Sequence, residues 1–373
     1  MPTDLLAVLL HGGDDELRDA VQRVVASRGK GDRSQVSAVE DEVAAAPERG
    51  ITFDASGLAT VRGAGREFCG GRFSTPSVGE LRQAVVARPA APSVVRFSVL
   101  EGDSPATDIG ALQAMAPDDT LFQAASQFNC LESPGPYLSR VAEYLIDPTQ
   151  GPRASVSAFP AALVRTYAAP DGAGGRFVQV PDRQIELLAD ALPASIGRVE
   201  SGYLQLSRVR DREAAAESLE ARFEHIRVGV HDEAQVVLGH AWDGAVEGEP
   251  RIAQVFTSTL AAAGYGGGEA FEGPVERICR SLLRAAYLGT LLAAIHLGKS
   301  RVVLTLIGGG VFGNPHPLIL SCALWAADEA ERLGRGSLEI VLNGRDLAGS
   351  VDRERLRQEC ARRGGVYRVR RAR

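Results

Sequence analysis

Apolar positions along the chain alternate between two kinds of run. Val302–Ile307 is unbroken in apolar and β-branched residues, the pattern of a strand buried on both faces in a largely parallel sheet. Shorter runs of the same kind predict strands at Ser93–Leu100, Thr120–Ala125, His225–Val230, Ile252–Leu260 and Ser337–Leu342, with Ile252–Leu260 leading into the glycine cluster Gly264–Gly268. Helical spacing recurs between them. It predicts helices at Val78–Ala87, capped by Ser77 with Glu80 at the third position, and at Phe159–Tyr167, Ala214–Arg222, Glu276–His296 and Leu318–Leu333. A shorter helical piece is expected at Tyr137–Leu145. Near the start, Leu17, Val21, Val24 and Val25 share one face of a helix over Asp14–Ala26.

Two stretches break these periods. Gly308, Gly309, Gly310 and Gly313 directly follow the Val302–Ile307 strand, and Pro315 and Pro317 open the next helix. Residues without a Cβ let a ligand approach the main chain, and a helix start offers unpaired N–H groups to an anion, so a phosphate cradle at the carboxyl end of a strand is one reading. A tight strand-to-helix turn is the other. In Asp147-Pro148-Thr149-Gln150-Gly151-Pro152 two prolines and a glycine predict a rigid, irregular polar loop, a common seat of function. The strand at Thr120–Ala125 runs into Gln123–Glu132 (QAASQFNCLE), whose small residues and then Gln127, Asn129 and Glu132 suggest a strand end turned into a polar pocket.

Strand and helix alternate from Phe97 onward, which predicts a three-layer α/β fold. Residues 1–60 read as an N-terminal extension, and 168–248, rich in Arg, Glu and Ala, as a helical insertion. The 373 residues suffice for one large domain or two ordinary ones, and 45% apolar with 24% charged residues is a soluble, globular balance. A net charge of −6 gives no support to a nucleic-acid partner, and the basic end (Arg368, Arg370, Arg371, Arg373) reads as a solvated tail. The cysteines Cys69, Cys130, Cys279, Cys322 and Cys360 are dispersed, without CxxC, which argues against a zinc knuckle or disulfide scaffold. The apolar run Leu5–Leu10 lacks a basic flank and is too short to span a bilayer, so no membrane partner is expected. A cytoplasmic protein, or one exported without a Sec signal, fits these features.

Several chemistries drop out. Gly298-Lys299-Ser300 resembles the end of a P-loop, but position 293 is Ala where that motif has glycine, and the segment precedes its strand. No G-x-S-x-G supports a serine hydrolase. His231 and His240 are too widely spaced for a metal-ligand motif, so no metal is expected.

In order and spacing the chain resembles the macrodomain superfamily of ADP-ribose-binding modules and hydrolases. Gln123-Ala124-Ala125-Ser126 is similar to that family's N-A-A-N segment, Gly310–Pro315 to its G-V-F/Y-G-x-P phosphate loop, Ala286–Gly289 to its Ala-rich helix and Leu338–Leu342 to its final strand. The likeness is greater to a divergent, poly(ADP-ribose) glycohydrolase-like branch that includes bacterial effectors removing ADP-ribose from ubiquitin. Gln123–Glu132, Asp147–Pro152, Val228–Glu233 and Gln254–Leu260 carry it, within a span of about Gly71 to Asp346. The chain departs from the family in lacking the glycine run after N-A-A-N and the paired glutamates, and in having His231-Asp232-Glu233 where Asp-Thr-Glu is the pattern.

The resemblance implies a macrodomain-like α/β/α mixed sheet over residues 61–373. It implies an ADP-ribosyl hydrolase acting on a modified protein side chain, or alternatively a non-catalytic ADP-ribose reader, with ADP-ribose or an ADP-ribosylated protein as partner and no cofactor. Diphosphate binding would fall to the loop of Gly308, Gly309, Gly310, Val311 and Gly313, with Phe312 over the distal ribose or else plugging the core. Asp108 would accept from the adenine amine, with a helix cap as its plain alternative and Asp103 as a rival. Gln123, Ser126, Thr149, Gly151 and Asn314 would be further substrate-binding residues. Glycosidic cleavage needs a group to position water beside an oxocarbenium-like centre, and Asn129, Asp147 and Gln150 are candidates, Asp147 foremost. Glu233 is a further catalytic candidate, with Glu132 and Asp232 as reserve acids.

Overall fold

The computed structural model describes residues 4–135, 137–262, 271–345, 347 and 351–371, and for Gln150 only the main chain. The Gly264–Gly268 cluster lies outside the described residues.

Ten strands form the central sheet: β1 Ile51–Phe53, β2 Ala59–Gly63, β3 Arg66–Ser74, β4 Val95–Glu101, β5 Thr120–Ala125, β6 Gly229–Gln235, β7 Arg251–Thr257, β8 Arg301–Thr305, β9 Leu338–Asn343 and β10 Tyr367–Val369. Their spatial order is β1-β2-β3-β6-β7-β5-β8-β9-β4-β10. From β1 to β7 neighbours are antiparallel, and from β7 to β10 they are parallel. Composition follows this division. β2 alternates buried and more exposed positions, whereas β5 and β9 are buried almost throughout, as strands covered on both faces must be.

Side-chain alternation fixes the layers. In β5, Gln123 donates to Thr290 Oγ1 (2.8 Å) and the Ala286 carbonyl (3.2 Å) of the helix Pro274–Leu297. In β7, Gln254, whose register partner is Phe122, donates to the Ala154 carbonyl (2.7 Å) of the helix Gln150–Ser157. Adjacent positions point to opposite faces, so the two helices cover opposite sides and the α/β/α arrangement is realised. The Pro274–Leu297 helix is apolar and long enough to cross a bilayer, yet 89% of its most apolar window is buried as the core of this layer.

The structure differs from the expected elements at informative places. The helix of Gln150–Ser157 begins inside the supposed irregular loop: Thr149 is its N-cap, and Pro152 falls in a first turn whose N–H groups need no intrahelical partner. The His225–Val230 strand is displaced to β6, because the N–H groups of Arg227 and Val228 are taken by the carbonyls of Leu187 and Pro76. The expected Tyr137–Leu145 piece is helical only from Val141, in a 3-10 turn Val141–Ile146 whose first N–H groups donate to the buried Glu40 carboxylate, both at 2.8 Å.

Residues 4–60, read as an extension, are built into the same body. Leu5, Leu9, Leu10, Val36, Val39 and Val43 are fully buried, Asp4 meets Arg301 at 2.6 Å, and β1 edges the sheet. Nor is the basic end a free tail: Arg368 and Arg370 donate to the carbonyls of Leu10 and Leu9, and β10 adds to β4. Within 168–248, Gly197–Glu200 and Tyr203–Val209 form a hairpin joined by Leu260–Ala261, but β6 belongs to the central sheet.

Candidate functional site

Parallel strands β7, β5, β8 and β9 all end on one side, and their ends open into a cavity of about 480 Å³. Ser126, Ser258, Thr305 and Asn343 stand at those ends, where open α/β sheets bind ligands. Three remote segments complete the wall: Ser126–Pro134, Asp147–Arg153 and Leu306–Phe312.

The glycine loop owes its shape to fixed anchors. Tyr287 OH donates to the Thr305 carbonyl (2.8 Å) and accepts from the Ile307 N–H (3.3 Å), clamping the point where β8 becomes loop. Gly309, Gly313 and Asn314 spend their N–H groups on turns closed by the carbonyls of Leu306, Gly310 and Gly308. Those of Gly308, Gly310 and Val311 make no hydrogen bond among the described residues. Gly308 has φ +70°, and a Cβ there would lie 2.1 Å from Asn314 Nδ2 and 2.5 Å from Thr259 Cγ2, so nothing larger fits. Tyr203, from the hairpin, meets Phe312 with ring centroids 5.8 Å apart.

Ser126, Asp147, Thr149, Gly151, Gly308, Gly309, Gly310, Val311 and Phe312 line this cavity together. Asp147 Oδ1 accepts the Thr149 N–H at 2.9 Å, setting the carboxylate at the helix entry. Other candidates sit elsewhere. Asn129 is fully buried behind the wall, bonded to Gln184 and to the Leu131 N–H. Gln123 faces the Pro274–Leu297 helix, Asn314 is buried behind the loop, and Gly313 is exposed at the loop's turn, off the cavity wall. Glu233 is on β6, held by Arg72 (2.5 Å) and Arg251 (3.3 Å), which keep its carboxyl below the usual range. The Gln150 side chain lies outside the description.

Asp108, expected as an adenine acceptor or a helix cap, serves in the structure as a cap and a counter-ion. It is 1% exposed, accepts the N–H groups of Gly110, Ala111 and Ala241, and pairs with Arg153 at 2.6 Å. Burial pushes its carboxyl up, but His240 (3.6 Å) and Arg153 outweigh that and bring it down to about 2. Arg153, stacked 4.6 Å from the Trp242 ring centroid, is thereby fixed as part of the cavity wall.

Sequence reasoning passed over Arg153, Tyr203, Ser258, His316, Asn343 and Arg345, all of which line the cavity. Arg153 follows Gly151-Pro152 directly and Arg345 lies just past a strand end, which are usable signals; Tyr203 carried none. Arg345 is steadied by Thr107 Oγ1 (2.9 Å). Unpaired buried oxygens remain on Gln127, Glu132, Ser258 and Asn343, acceptors and donors that a polar ligand would satisfy.

Glu132, a reserve acid in sequence, is on the wall and only 6% exposed. Burial pushes its carboxyl well above the usual range, with Asp147 adding to the rise and Arg165 opposing it. Arg165 is fully buried in the helix Phe159–Tyr167. It donates to Cys130 O (3.1 Å) and Ser155 Oγ (2.6 Å), stacks 3.6 Å from the Phe256 centroid, and is brought down to about 10 by burial. Its Nη1 lies 3.3 Å from His231 Nδ1, and His231 Nε2 is 2.6 Å from the Gly70 carbonyl. That pairing selects a neutral ring with the proton on Nε2. Among the described residues no group of three or more His, Cys, Asp or Glu side chains is placed to hold a metal. The chemistry assembled is therefore two guanidinium groups and bare main chain for an anion, beside two carboxyls in unlike surroundings.

No family model matches the chain, and no curated protein matches it. Among solved structures it is similar to poly(ADP-ribose) glycohydrolase from Thermomonospora curvata, with TM-score 0.42 and 18% identity over 88% of this chain and 99% of that one. It is also similar to the apo form of poly(ADP-ribose) glycohydrolase from Deinococcus radiodurans, with TM-score 0.41 and 13% identity over 79% of this chain and 93% of that one. A structure of the Deinococcus radiodurans enzyme in complex with ADP-ribose gives TM-score 0.40 and 12% identity over 74% and 88%.

Proposed function

We propose that the chain is an ADP-ribosyl hydrolase that removes ADP-ribose from a modified protein side chain. One observation carries the reading: Ser126, Asp147 with Thr149 and Gly151, and Gly308–Phe312, far apart in sequence, share the wall of a single cavity. Its volume of about 480 Å³ falls within the range of roughly 300–1,000 Å³ typical of small-molecule sites. The unpaired N–H groups of Gly308, Gly310 and Val311, with Arg153 and Arg345, suit a diphosphate; Phe312 and Tyr203 offer ring faces to a sugar or base. Asp147 then orients the water that attacks C1″.

Incubation with an ADP-ribosylated protein, followed by mass measurement of both products, tests this. Release of ADP-ribose supports the hydrolase. Binding of ADP-ribose by calorimetry with no release over hours would leave a reader module, and no binding at all would remove both.

A further inference from the structure

We infer that Arg165 is a positioning residue for the hydrolysis: from behind the cavity its guanidinium fixes the wall segment that carries Gln127 and Glu132 against the helix whose entry carries Asp147. It thereby sets where the attacking water stands relative to C1″. The inference rests on the hydrolase reading above and adds to it a group that touches neither substrate nor water.

Arg165 is fully buried in the helix Phe159–Tyr167 and is not among the residues that line the cavity. Its planar fork reaches three other parts of the chain. Nε donates to the Cys130 carbonyl (3.1 Å), Nη2 donates to Ser155 Oγ (2.6 Å), and Nη1 lies 3.3 Å from His231 Nδ1 on β6. The Phe256 ring of β7 covers the guanidinium at 3.6 Å. A second tie runs beside the first: Gln179 Nε2 donates both to the Arg165 carbonyl (2.9 Å) and to the Asn129 carbonyl (3.0 Å).

Both anchors belong to cavity walls. Cys130 stands between Gln127 and Glu132, which line the cavity, and holds a left-handed backbone (φ +62°) that a residue with a side chain keeps only when its surroundings enforce it. Ser155 lies one turn beyond Gly151 in the helix Gln150–Ser157. The two walls already touch at the front, since a Cβ on Gly151 would lie 2.3 Å from the Ala125 carbonyl oxygen and 3.1 Å from Glu132 Oε2. Arg165 braces from behind a contact that has no slack in front.

The charge is the informative part. Among the described residues no carboxylate forms an ion pair with Arg165; the titratable groups that feel it are Tyr144, Cys130, Glu132 and His231. An apolar side chain of similar shape would fill this space without burying an unpaired cation, and such replacements are often neutral or stabilising. What only the guanidinium supplies is direction, because donors fixed in one plane set both the distance and the angle between Cys130 and Ser155. Catalysis is sensitive to that setting: a misplacement of about 1 Å can cost about 100-fold in rate.

The experiment compares wild type, Arg165→Met, Arg165→Lys, Ser155→Ala and the double variant Arg165→Met with Ser155→Ala. Each is measured for kcat and KM on peptides bearing ADP-ribose on serine, on arginine and as a glutamate ester, for ADP-ribose affinity by calorimetry, and for thermal midpoint. On the peptide that wild type turns over, Arg165→Met is expected to lose about 30-fold or more in kcat, with KM and ADP-ribose affinity within a few-fold and a midpoint within about 5 °C. Arg165→Lys, which keeps the charge but reaches one anchor at a time, is expected to recover part of kcat. Ser155→Ala is expected to lose about threefold to tenfold in kcat, and adding it to Arg165→Met to cost nothing more, because both cut the same brace. A folded Arg165→Met with kcat within a few-fold of wild type overturns the inference, as does a loss of kcat matched by an equal loss of affinity. Where Arg165→Met does not fold, Ser155→Ala decides: wild-type kcat overturns the inference and a selective loss of kcat upholds it. These outcomes leave the hydrolase standing, whereas release of ADP-ribose from none of the peptides by wild type removes the hydrolase and the inference together.

Discussion

Gly308 and Asp147 show how differently single residues on one cavity act. Gly308 combines a left-handed backbone with a Cβ position 2.1 Å from Asn314 Nδ2. Gly308→Ala is expected to cost about 1–3 kcal/mol of stability and to weaken ADP-ribose binding at least tenfold, read by denaturant unfolding and calorimetry. Asp147→Ala removes a half-buried carboxylate from a helix entry, so turnover should fall by about 100-fold or more while ADP-ribose affinity stays within a few-fold. Glu132 has the opposite signature in stability. A buried carboxyl whose folded pKa is raised contributes stability below its unfolded value, and that contribution is lost as pH rises through the folded value. Glu132→Gln should therefore melt at or above the wild-type temperature at pH 7, and the difference should vanish near pH 4.

At the level of elements, the cluster around Asp108 joins the helix Ile109–Ala114, the helix Gln150–Ser157 and the turn His240–Trp242. Asp108→Ala removes the N-cap and the partner of Arg153 at once. It is expected to cost about 2–4 kcal/mol, since breaking a buried pair strands the remaining charge, and to lower affinity for ADP-ribose more than Asp108→Asn does. Elements with strong local signals were legible in the sequence: Thr120–Ala125 and Phe159–Tyr167 form with the expected bounds, and Val78–Val86 carries the Ser77/Glu80 capping box. The displaced β6 was not legible, because the carbonyls that occupy Arg227 and Val228 come from Leu187 and Pro76, and apolar alternation knows nothing of them. The glycine loop and the helix entry at Asp147 announced themselves through residues with special backbones. Arg165 did not: an arginine in the last turn of a helix reads as exposed, and only the tertiary placement of Cys130, Ser155 and His231 buries it.

Across the whole molecule, buried groups held in one protonation state set its response to acid. His231 is kept neutral far below the ordinary histidine range by burial and by Arg165, so its contribution is full above about pH 6.5 and declines as pH falls. Asp108, with a folded value of about 2 against 3.8, adds a second loss below about pH 4. Between pH 7 and pH 5 the His231 loss is opposed by the gain at Glu132, so it is read as a difference: the thermal midpoint of His231→Gln should rise relative to wild type as pH falls through that window, with the loss below pH 4 left in place. The position of β5 has a temporal meaning as well. It sits between β7 and β8, which begin at Arg251 and Arg301, so a ribosome must extend the nascent polypeptide well beyond Ala125 before either edge of that apolar strand finds its neighbour. Until then it is an open template for wrong pairing, and chaperone demand during synthesis should be concentrated in that interval.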